Sequence, residues 1–210
     1  MQAAQQLLER LYPQRKSLLK RQILLDALCC FLDYGLETTS IEMIREKSES
    51  SVGAIYHHFK NKEGIVAALV FAALEDQAQL RERYQQEAHS LQQCLYALIY
   101  SYTDWVSDQP EFARFLLLAH FNVMQGEYRP QLDEKNKLRN QQIASQIGRY
   151  TEAKLLRVVP AELMMSLVIG ASESYSRAWL SGKVSTTPSL YRETLAQAAW
   201  DSLQNLAQNK

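Results

Sequence analysis

Apolar residues recur at helical spacing along almost the whole chain. Between Ser17 and Tyr34 they return every three or four positions, and Gly35 follows where such a helix would end. The alternating branched residues and Asn-Gly turns typical of strands are absent from the sequence. We therefore predict an all-α protein of about nine helices. Residues 2–12 would add either a short extra helix or an arm.

The helices of the N-terminal part are short. The second begins at Thr39-Ser40, where Thr39 and Glu42 have capping-box spacing. A polar turn, residues 48–51, separates it from the third helix, and Asn61 is a suitable N-cap for a long fourth helix. We predict one domain over residues 1–62, with 1–16 as the arm or short helix, and a second domain over residues 63–210.

Later helices are predicted over residues 91–106, 111–124, 131–156, 161–180 and 189–205. The segment 111–124 is apolar nearly all round, which favours burial inside a helical bundle. Proline or glycine stands between most of these segments, as expected where helices begin and end. The second domain is thus predicted to be entirely helical.

Composition excludes several classes of protein. The apolar content of 47% is enough for a packed core, and no apolar run is long enough to span a membrane. With no secretory signal pattern, we expect a cytoplasmic protein. The 23 basic residues balance the 23 acidic ones, so any affinity for nucleic acid must come from local placement of charge. Cys29, Cys30 and Cys94 lack metal-ligand spacing and are predicted to be reduced thiols.

Sequence motifs for catalysis are missing. We find no nucleophile elbow, paired catalytic carboxylates, phosphate loop or metal-binding pattern. His57 and His58 are adjacent and would diverge on a helix, which disfavours a metal pair. We therefore expect no enzyme activity, no cofactor and no metal.

The most informative segment runs from Ser51 to Glu63 and reads SVGAIYHHFKNKE. It combines a short helix, an aromatic and histidine cluster, and two lysines, and it follows two other short helices. Three short helices with a compact basic and aromatic patch are what a helix-turn-helix protein uses to bind the major groove. The sequence therefore predicts a DNA-binding domain.

Residues 23–65 resemble the DNA-binding domain of the tetracycline-repressor (TetR) family of bacterial regulators. The resemblance implies a small N-terminal DNA-binding domain and a variable helical C-terminal domain that binds ligand and dimerises. It also implies a homodimer that binds palindromic double-stranded DNA and is released by a small effector. The matching positions are Ile23, Ala27, Phe31, Gly35, Thr38 to Ile41, Ile44, Ser51, Gly53, Ile55, Tyr56, His58, Phe59, Lys60, Lys62 and Glu63.

The turn between the second and third helices departs from the family pattern. The family usually has Ala-Gly-Val-Ser, whereas this chain has Ser48-Glu49-Ser50-Ser51. A left-handed backbone at Glu49 would cost about 1 kcal/mol relative to glycine, or the turn has another geometry. Both alternatives are open from sequence alone.

Side chains at the start of the third helix are predicted to face DNA. Some would contact bases, others phosphate: Ser40, Ser51, Val52, Gly53, Ala54, Tyr56, His57 and Lys62, the last resembling the family's phosphate clamp. Alternatively, Tyr56, His58 and Phe59 form a packing seam. Lys16, Lys20 and Arg21 are either a solvated face or a minor-groove arm.

The second domain is predicted to supply two further sites. Its last two helices would form a homodimer interface through Leu163, Leu167, Gly170, Ser174, Ala178, Leu195 and Ala199. The middle helices would bind a small apolar or aromatic effector through Tyr102, Trp105, Phe115, His120, Phe121, Met124, Glu173 and Arg177. Intramolecular packing of the last helices, and a Glu173–Arg177 salt bridge, are the structural alternatives. The alternative function is a helix-turn-helix protein whose degenerate DNA-binding surface acts through protein–protein contacts.

Overall fold

The computed structural model describes residues 1–208, apart from the side chains of His120, Leu155 and Gln208, and this part is helical without a strand. The all-α prediction is confirmed. Ten α-helices occur in the described range: α1 (Gln2–Leu11), α2 (Leu18–Tyr34), α3 (Ile41–Lys47), α4 (Val52–Phe59), α5 (Lys62–Gln86), α6 (Leu91–Asp108), α7 (Pro110–Gln125), α8 (Arg129–Gly148), α9 (Ala161–Leu180) and α10 (Arg192–Gln208). Three short 3-10 helices cover Arg15–Ser17, Thr151–Val158 and Pro188–Tyr191.

Packing divides the chain into two compact units. The first contains residues 1–76 and 109–136, and the second contains residues 77–108 and those from 137 onward. This differs from the predicted single boundary near residue 62. The reason is that α7 packs against α2, where the rings of Phe31 and Phe115 stack with centroids 5.8 Å apart. A return of the chain to an earlier helix leaves no mark in local periodicity.

In the first unit, residues 2–11 form a helix and not a loose arm. Leu7 and Leu8 are fully buried against neighbouring helices. The N-terminal ammonium contacts Glu111 on α7. Arg10 donates to Asp76 on α5 over 2.9 Å. These contacts join α1 to α5 and α7 and make it an integral part of this unit.

One prediction about α7 is wrong. Phe112 and Phe115 are fully buried, but the opposite side of the helix is open to solvent, and its apolar side chains are 42% to 66% exposed. The exposed residues are Leu117, Leu118, Phe121 and Met124. Apolar residues surround α7, yet the first unit covers only one of its faces.

The second unit has its core where α6, α9 and α10 meet. Leu95, Leu98 and Ile99 of α6 pack with Val168 of α9 and Leu203 of α10. The predicted helix over 131–156 ends earlier, at Gly148, because Tyr150 has an extended backbone (φ −97°, ψ 132°) before the 3-10 helix begins. Within residues 1–208, no single helix combines the length and hydropathy needed to cross a membrane.

Gly64 determines how closely α4 and α5 approach one another. A Cβ at this position would lie 1.9 Å from the carbonyl oxygen of Phe59 and 2.9 Å from the hydroxyl of Tyr128. The first contact is with backbone, which cannot rotate out of the way. Only glycine therefore fits this junction without a shift of one helix.

We expect Gly64→Ala to lower the free energy of unfolding by about 1–3 kcal/mol, the usual range for overpacking, although alanine is the better helix former. The matched control is Gly148→Ala, because a Cβ at Gly148 meets nothing within 4 Å. Chemical denaturation of both variants measures the difference. A Gly64→Ala protein as stable as the control would contradict the close approach of α4 and α5.

Candidate nucleic-acid interface

Hydroxyl side chains fix the starts of both short helices. Ser40 Oγ accepts a hydrogen bond from the Met43 amide at 3.2 Å, and Ser51 Oγ accepts one from the Ala54 amide at 3.1 Å. The predicted capping role of Thr39 is wrong. Its buried hydroxyl instead donates to the Gly35 carbonyl at 2.7 Å. Thr39 thus ties the loop back to the end of α2, and Ser40 caps α3.

The turn after α3 has the left-handed geometry usual for glycine. Glu49 has φ 49°. Its amide bonds to the carbonyl of Glu46, and the Ser50 amide bonds to the carbonyl of Arg45, over 3.4 and 3.2 Å. This pair of bonds is a Schellman motif. Of the two alternatives, the turn therefore keeps the conformation, and Glu49 bears its cost of about 1 kcal/mol.

Two serines replace an apolar contact inside this turn. Ser48 and Ser50 are buried, and their hydroxyl oxygens lie 2.8 Å apart. Ser48 donates to the Ile44 carbonyl at 2.7 Å, so the proton between the two serines comes from Ser50. Both buried hydroxyls are satisfied, which removes the desolvation penalty that an unpaired hydroxyl would carry. The polar turn is therefore compatible with a rigid helix-turn-helix.

The two sides of α4 differ sharply in exposure. Ile55 is fully buried and Phe59 is 4% exposed, so both belong to the core. Tyr56 is 50% exposed and Val52 is 41% exposed. Of the other residues predicted to face DNA, Ser40, Ser51, Gly53 and His57 are exposed, and Ala54 is half-buried. By their helical spacing, Val52, Gly53, Tyr56 and His57 share one exposed side of α4.

His58 belongs to the packed side. Its ring lies against Phe59, with centroids 5.8 Å apart. Burial lowers the pKa of His58, and the nearby charges of His57 and Lys20 lower it further. The neutral imidazole is therefore favoured, as expected for a side chain that packs.

Lys62 makes contacts that the sequence did not suggest. Its ammonium donates to three backbone carbonyls of the loop between α2 and α3: Leu36 at 2.9 Å, Thr39 at 3.0 Å and Glu37 at 3.4 Å. Asn61, as predicted, caps α5, with its Oδ1 accepting from the Gly64 amide at 2.7 Å. Lys62 therefore holds the start of α3 against the start of α5.

Some of the other cations near α4 contact groups of the protein, and others are exposed to solvent. Lys20 Nζ lies 4.4 Å from the ring centre of Tyr12, and Arg21 donates to the Gln14 carbonyl at 3.3 Å. Lys16 and Lys60 are exposed. Lys60 has φ 64° and ends α4. From sequence, Lys60 was only one of the positions that match the family motif. The pattern of residues around it does not indicate the positive φ found at this position.

The predicted effector residues lie in different units. Phe115 is buried in the first unit, where Phe121 and Met124 are exposed. The side chain of His120 lies outside the described residues. Tyr102, Trp105, Glu173 and Arg177 belong to the second unit.

Within the second unit, Tyr102 has a polar surrounding. Burial raises its pKa to about 12, with a further contribution from the negative charge of Glu173. Glu173 and Arg177, both within the described residues, do not form the salt bridge offered as an alternative. Their side chains are therefore not neutralised by one another.

A cavity of about 750 Å³ lies elsewhere in the second unit, beside the 3-10 helix Thr151–Val158. Its volume is typical of a small-molecule site. None of the predicted effector residues lines it. Its walls are mainly apolar, with cations at the edge: Ile143, Ile147, Leu156, Val159, Met164 and Met165, with Arg149, Lys154 and Arg157.

The predicted dimer residues differ in how far their own chain covers them. Leu163 is 43% exposed and Ser174 is exposed, while Leu167, Gly170, Ala178 and Leu195 are half-buried. Ala199 is only 7% exposed and packs in the core of the second unit. It therefore has little surface left for a partner, because the turn of α10 directs it towards α6 and α9.

Comparison with known proteins agrees with this geometry. Residues 23–69 match the family model "Bacterial regulatory proteins, tetR family". The "HTH-type transcriptional repressor AcnR" of Corynebacterium diphtheriae is 38% identical over 66 residues, which is 31% of this chain and 33% of that protein. The chain thus matches about a third of the length of its curated relatives.

Solved structures extend the likeness to almost the whole fold. A TetR family transcription regulator from Marinobacter aquaeolei VT8 is 17% identical, with a TM-score of 0.74 over 90% of this chain and 97% of that one. The transcriptional regulator FadR from Bacillus subtilis, in complex with stearoyl-CoA, is 19% identical, with a TM-score of 0.65 over 85% and 96%. Residues 23–69 are thus similar to the helix-turn-helix of the tetR family of bacterial regulatory proteins, and the fold of the chain is similar to that of solved tetR family regulators.

Proposed function

We propose that this protein is a ligand-responsive transcriptional regulator, most simply a repressor, that binds a palindromic operator as a homodimer. The exposed face of α4 carries this proposal, because a capped and rigid turn holds it in the manner required for insertion into the major groove. The repressors among its relatives support the same function. A protein that acts on DNA in this way belongs in the cytoplasm and needs no enzyme activity.

The chemistry of α4 favours modest direct readout of bases. Val52 and Ala54 offer only apolar contact, for example to a thymine methyl group. Gly53 is open, since a Cβ there would meet only Ser51 Oγ at 4.0 Å. Tyr56 and His57 supply hydrogen-bonding groups for phosphate or a base edge. We infer that phosphate register and DNA shape contribute much of the specificity.

The exposure of Tyr56 favours DNA over the alternative of a degenerate surface that contacts protein. A packing seam would bury this ring, as it buries Phe59, but half of Tyr56 is exposed. Two exposed cations, Lys16 and Lys60, belong to the same unit. An exposed tyrosine together with exposed lysines is better suited to contact a polyanion such as DNA than an apolar groove of another protein.

We further propose that α9 and α10 form the homodimer interface. The candidate face on α9 consists of Leu163, Leu167, Gly170, Ser174 and Ala178, which are exposed or half-buried in the single chain. Small residues along such a face allow two helices to approach closely. Ala199 is excluded from the proposal because it is already buried.

The effector is proposed to bind in the second unit and to act through α5. This helix begins at Lys62, beside α3, and its residues from Gln77 onward belong to the second unit. Tyr102, Trp105, Glu173 and Arg177 remain the candidate ligand contacts. That a neighbour of similar fold was solved with stearoyl-CoA supports a ligand with a large apolar part.

Binding to a palindromic fragment from upstream of the gene tests the main proposal. We expect affinity to fall steeply between 50 and 200 mM salt, about 10³-fold if the dimer contacts six phosphates. Lys62→Met should weaken binding to all sequences alike. A positioning role leaves the salt slope unchanged, whereas a phosphate clamp would reduce the slope by roughly 1 for each phosphate that the variant no longer neutralises.

Electrophoretic mobility shifts at four salt concentrations measure both quantities. The control is Tyr191→Phe, because Tyr191 is exposed and lies in the second unit. Salt-independent binding would remove the physical basis of the DNA proposal and leave the protein-contact alternative.

Ser174→Arg should dissociate the homodimer, since it adds a charged side chain to an exposed position on the proposed interface. We expect multi-angle light scattering to report a dimer for the wild type and a monomer for the variant. Ser145→Arg, at an exposed position on α8, is the matched control and should remain dimeric. A dimeric Ser174→Arg protein would refute this choice of interface.

Effector and operator should weaken each other's binding by the same factor, because thermodynamic coupling is reciprocal. The expected factor is about 5- to 150-fold, the usual range for such coupling. Isothermal titration of an effector, with and without a saturating operator fragment, measures it. Equal ligand affinity in both titrations would show that the ligand does not control DNA binding.

A further inference from the structure

Arg81 is buried without an adequate partner. Its side chain is 3% exposed, and its one hydrogen bond among the described residues runs from Nη2 to Gln142 Oε1 over a long 3.4 Å. Its Nε donor has no partner within the same part of the chain. Because an arginine does not lose its proton in proteins, this site cannot relieve the charge by becoming neutral.

The charges around Arg81 do not compensate for its burial. Arg139 lies one turn before Gln142 on α8, and so on the side of that helix that meets Arg81. Burial lowers the pKa of Arg81, and the positive charge of Arg139 lowers it further. Glu82, which follows Arg81 in the chain, is exposed to solvent and opposes this effect only weakly.

Arg139 has one acidic neighbour that acts on it. Burial lowers its pKa, and the negative charge of Glu173 on α9 partly opposes that effect. The negative charge of Glu173 also raises the pKa of Tyr102. One carboxylate therefore acts on both a phenol and one of the two arginines. Next to it, Ser172 is 1% exposed, and its hydroxyl has no partner among residues 1–208. The surroundings of Arg81 and Arg139 therefore have an excess of positive charge, and the Nε donor of Arg81 is free.

Buried positive charge of this kind destabilises the folded protein when no anion is bound. Buried charges in folded proteins are paired or bind ions, since water is no longer present to solvate them. A carboxylate or phosphate has the charge and the acceptor oxygens that two guanidinium groups bind well. A bound anionic group would therefore neutralise the excess positive charge.

We propose that Arg81 and Arg139 bind the anionic group, a carboxylate or a phosphate, of a small ligand. This inference rests on the proposed function for the identity of that ligand as the effector. The ligand is then an amphipathic acid, with an apolar part and one anionic end. Arg81 supplies the unpaired charge, and Arg139 supplies the second guanidinium group.

The test is thermal melting of the full-length protein in sodium phosphate, sodium hexanoate and sodium chloride at equal ionic strength. Saturating anion should raise the Tm of the wild type by roughly 5–10 °C at 100 times its Kd. Phosphate and hexanoate distinguish the two anionic groups. Chloride gives the effect of salt alone.

Arg81→Met keeps the volume of the side chain and removes the charge. In chloride this variant should melt at a higher temperature than the wild type, because a buried unpaired charge is lost. Neither phosphate nor hexanoate should shift its Tm. Arg83→Met, two positions along and exposed, is the control and should respond to anions like the wild type.

Two results would overturn the anion site. One is an Arg81→Met protein less stable than the wild type, which means that water already satisfies Arg81. The other is a wild-type Tm that neither anion raises above its value in chloride.

DNA binding is measured in a separate experiment. A failure of the proposed function can then be distinguished from a failure of the anion site. Arg81→Met should bind operator like the wild type without added anion, and it should resist release by the anion that stabilises the wild type. Stabilisation through Arg81 with no change in DNA affinity would support the anion site while refuting its role as the effector site. Loss of DNA binding by the unliganded wild type would refute the proposed function and leave the anion site intact.

Discussion

The ammonium group of Lys62 fixes the relation between the helices of the DNA-binding domain. It lies at the first residue of α5 and donates to three carbonyls of the loop that leads into α3. These carbonyls have no helical partner, because they lie between two helices. A charged donor bonds to them more strongly than a neutral one would. The start of α3, and with it the turn and α4, is therefore set by the position of α5.

The same junction explains two other requirements of this region. Gly64 brings α5 so close to the Phe59 carbonyl that no side chain fits between them. Asn61 caps α5 by accepting from the Gly64 amide, which fixes the register at which Lys62 meets its carbonyls. Any displacement of α5 at its first turn thus changes three contacts at once. Because α5 begins at this junction and contributes residues to both units, it is the helix through which we propose that an effector acts.

Sequence patterns predicted the helices well because helices are local structures. Capping by Asn61 and the buried side of α4 follow from residue types and spacing within about ten positions. The role of Lys62 was not predictable in this way, because its partners lie 23 to 26 residues earlier in the chain. Packing of Phe115 on Phe31 was missed for the same reason.

The turn after α3 shows where sequence narrows the outcome without deciding it. A left-handed Glu49 is costly, but its cost alone does not exclude another geometry. What decides the matter is the pair of serines, whose mutual hydrogen bond needs Ser48 and Ser50 to point inward together. In the structure that arrangement occurs together with the left-handed conformation of the residue between them. The contacts of two neighbours thus compensate for the strain at the third.

Lys62 and Arg81 obey the same rule with opposite results. Each is a cation removed at least partly from water, and such a charge must find oxygen atoms to replace its hydration. Lys62 finds three carbonyl oxygens within the protein, so its role is structural. Arg81 finds one distant amide oxygen and a second arginine, so the protein leaves its charge uncompensated. The number of oxygen atoms within hydrogen-bond distance therefore distinguishes the two cations. Lys62 has enough of them for a structural role, whereas Arg81 does not and is the one that we propose binds a ligand.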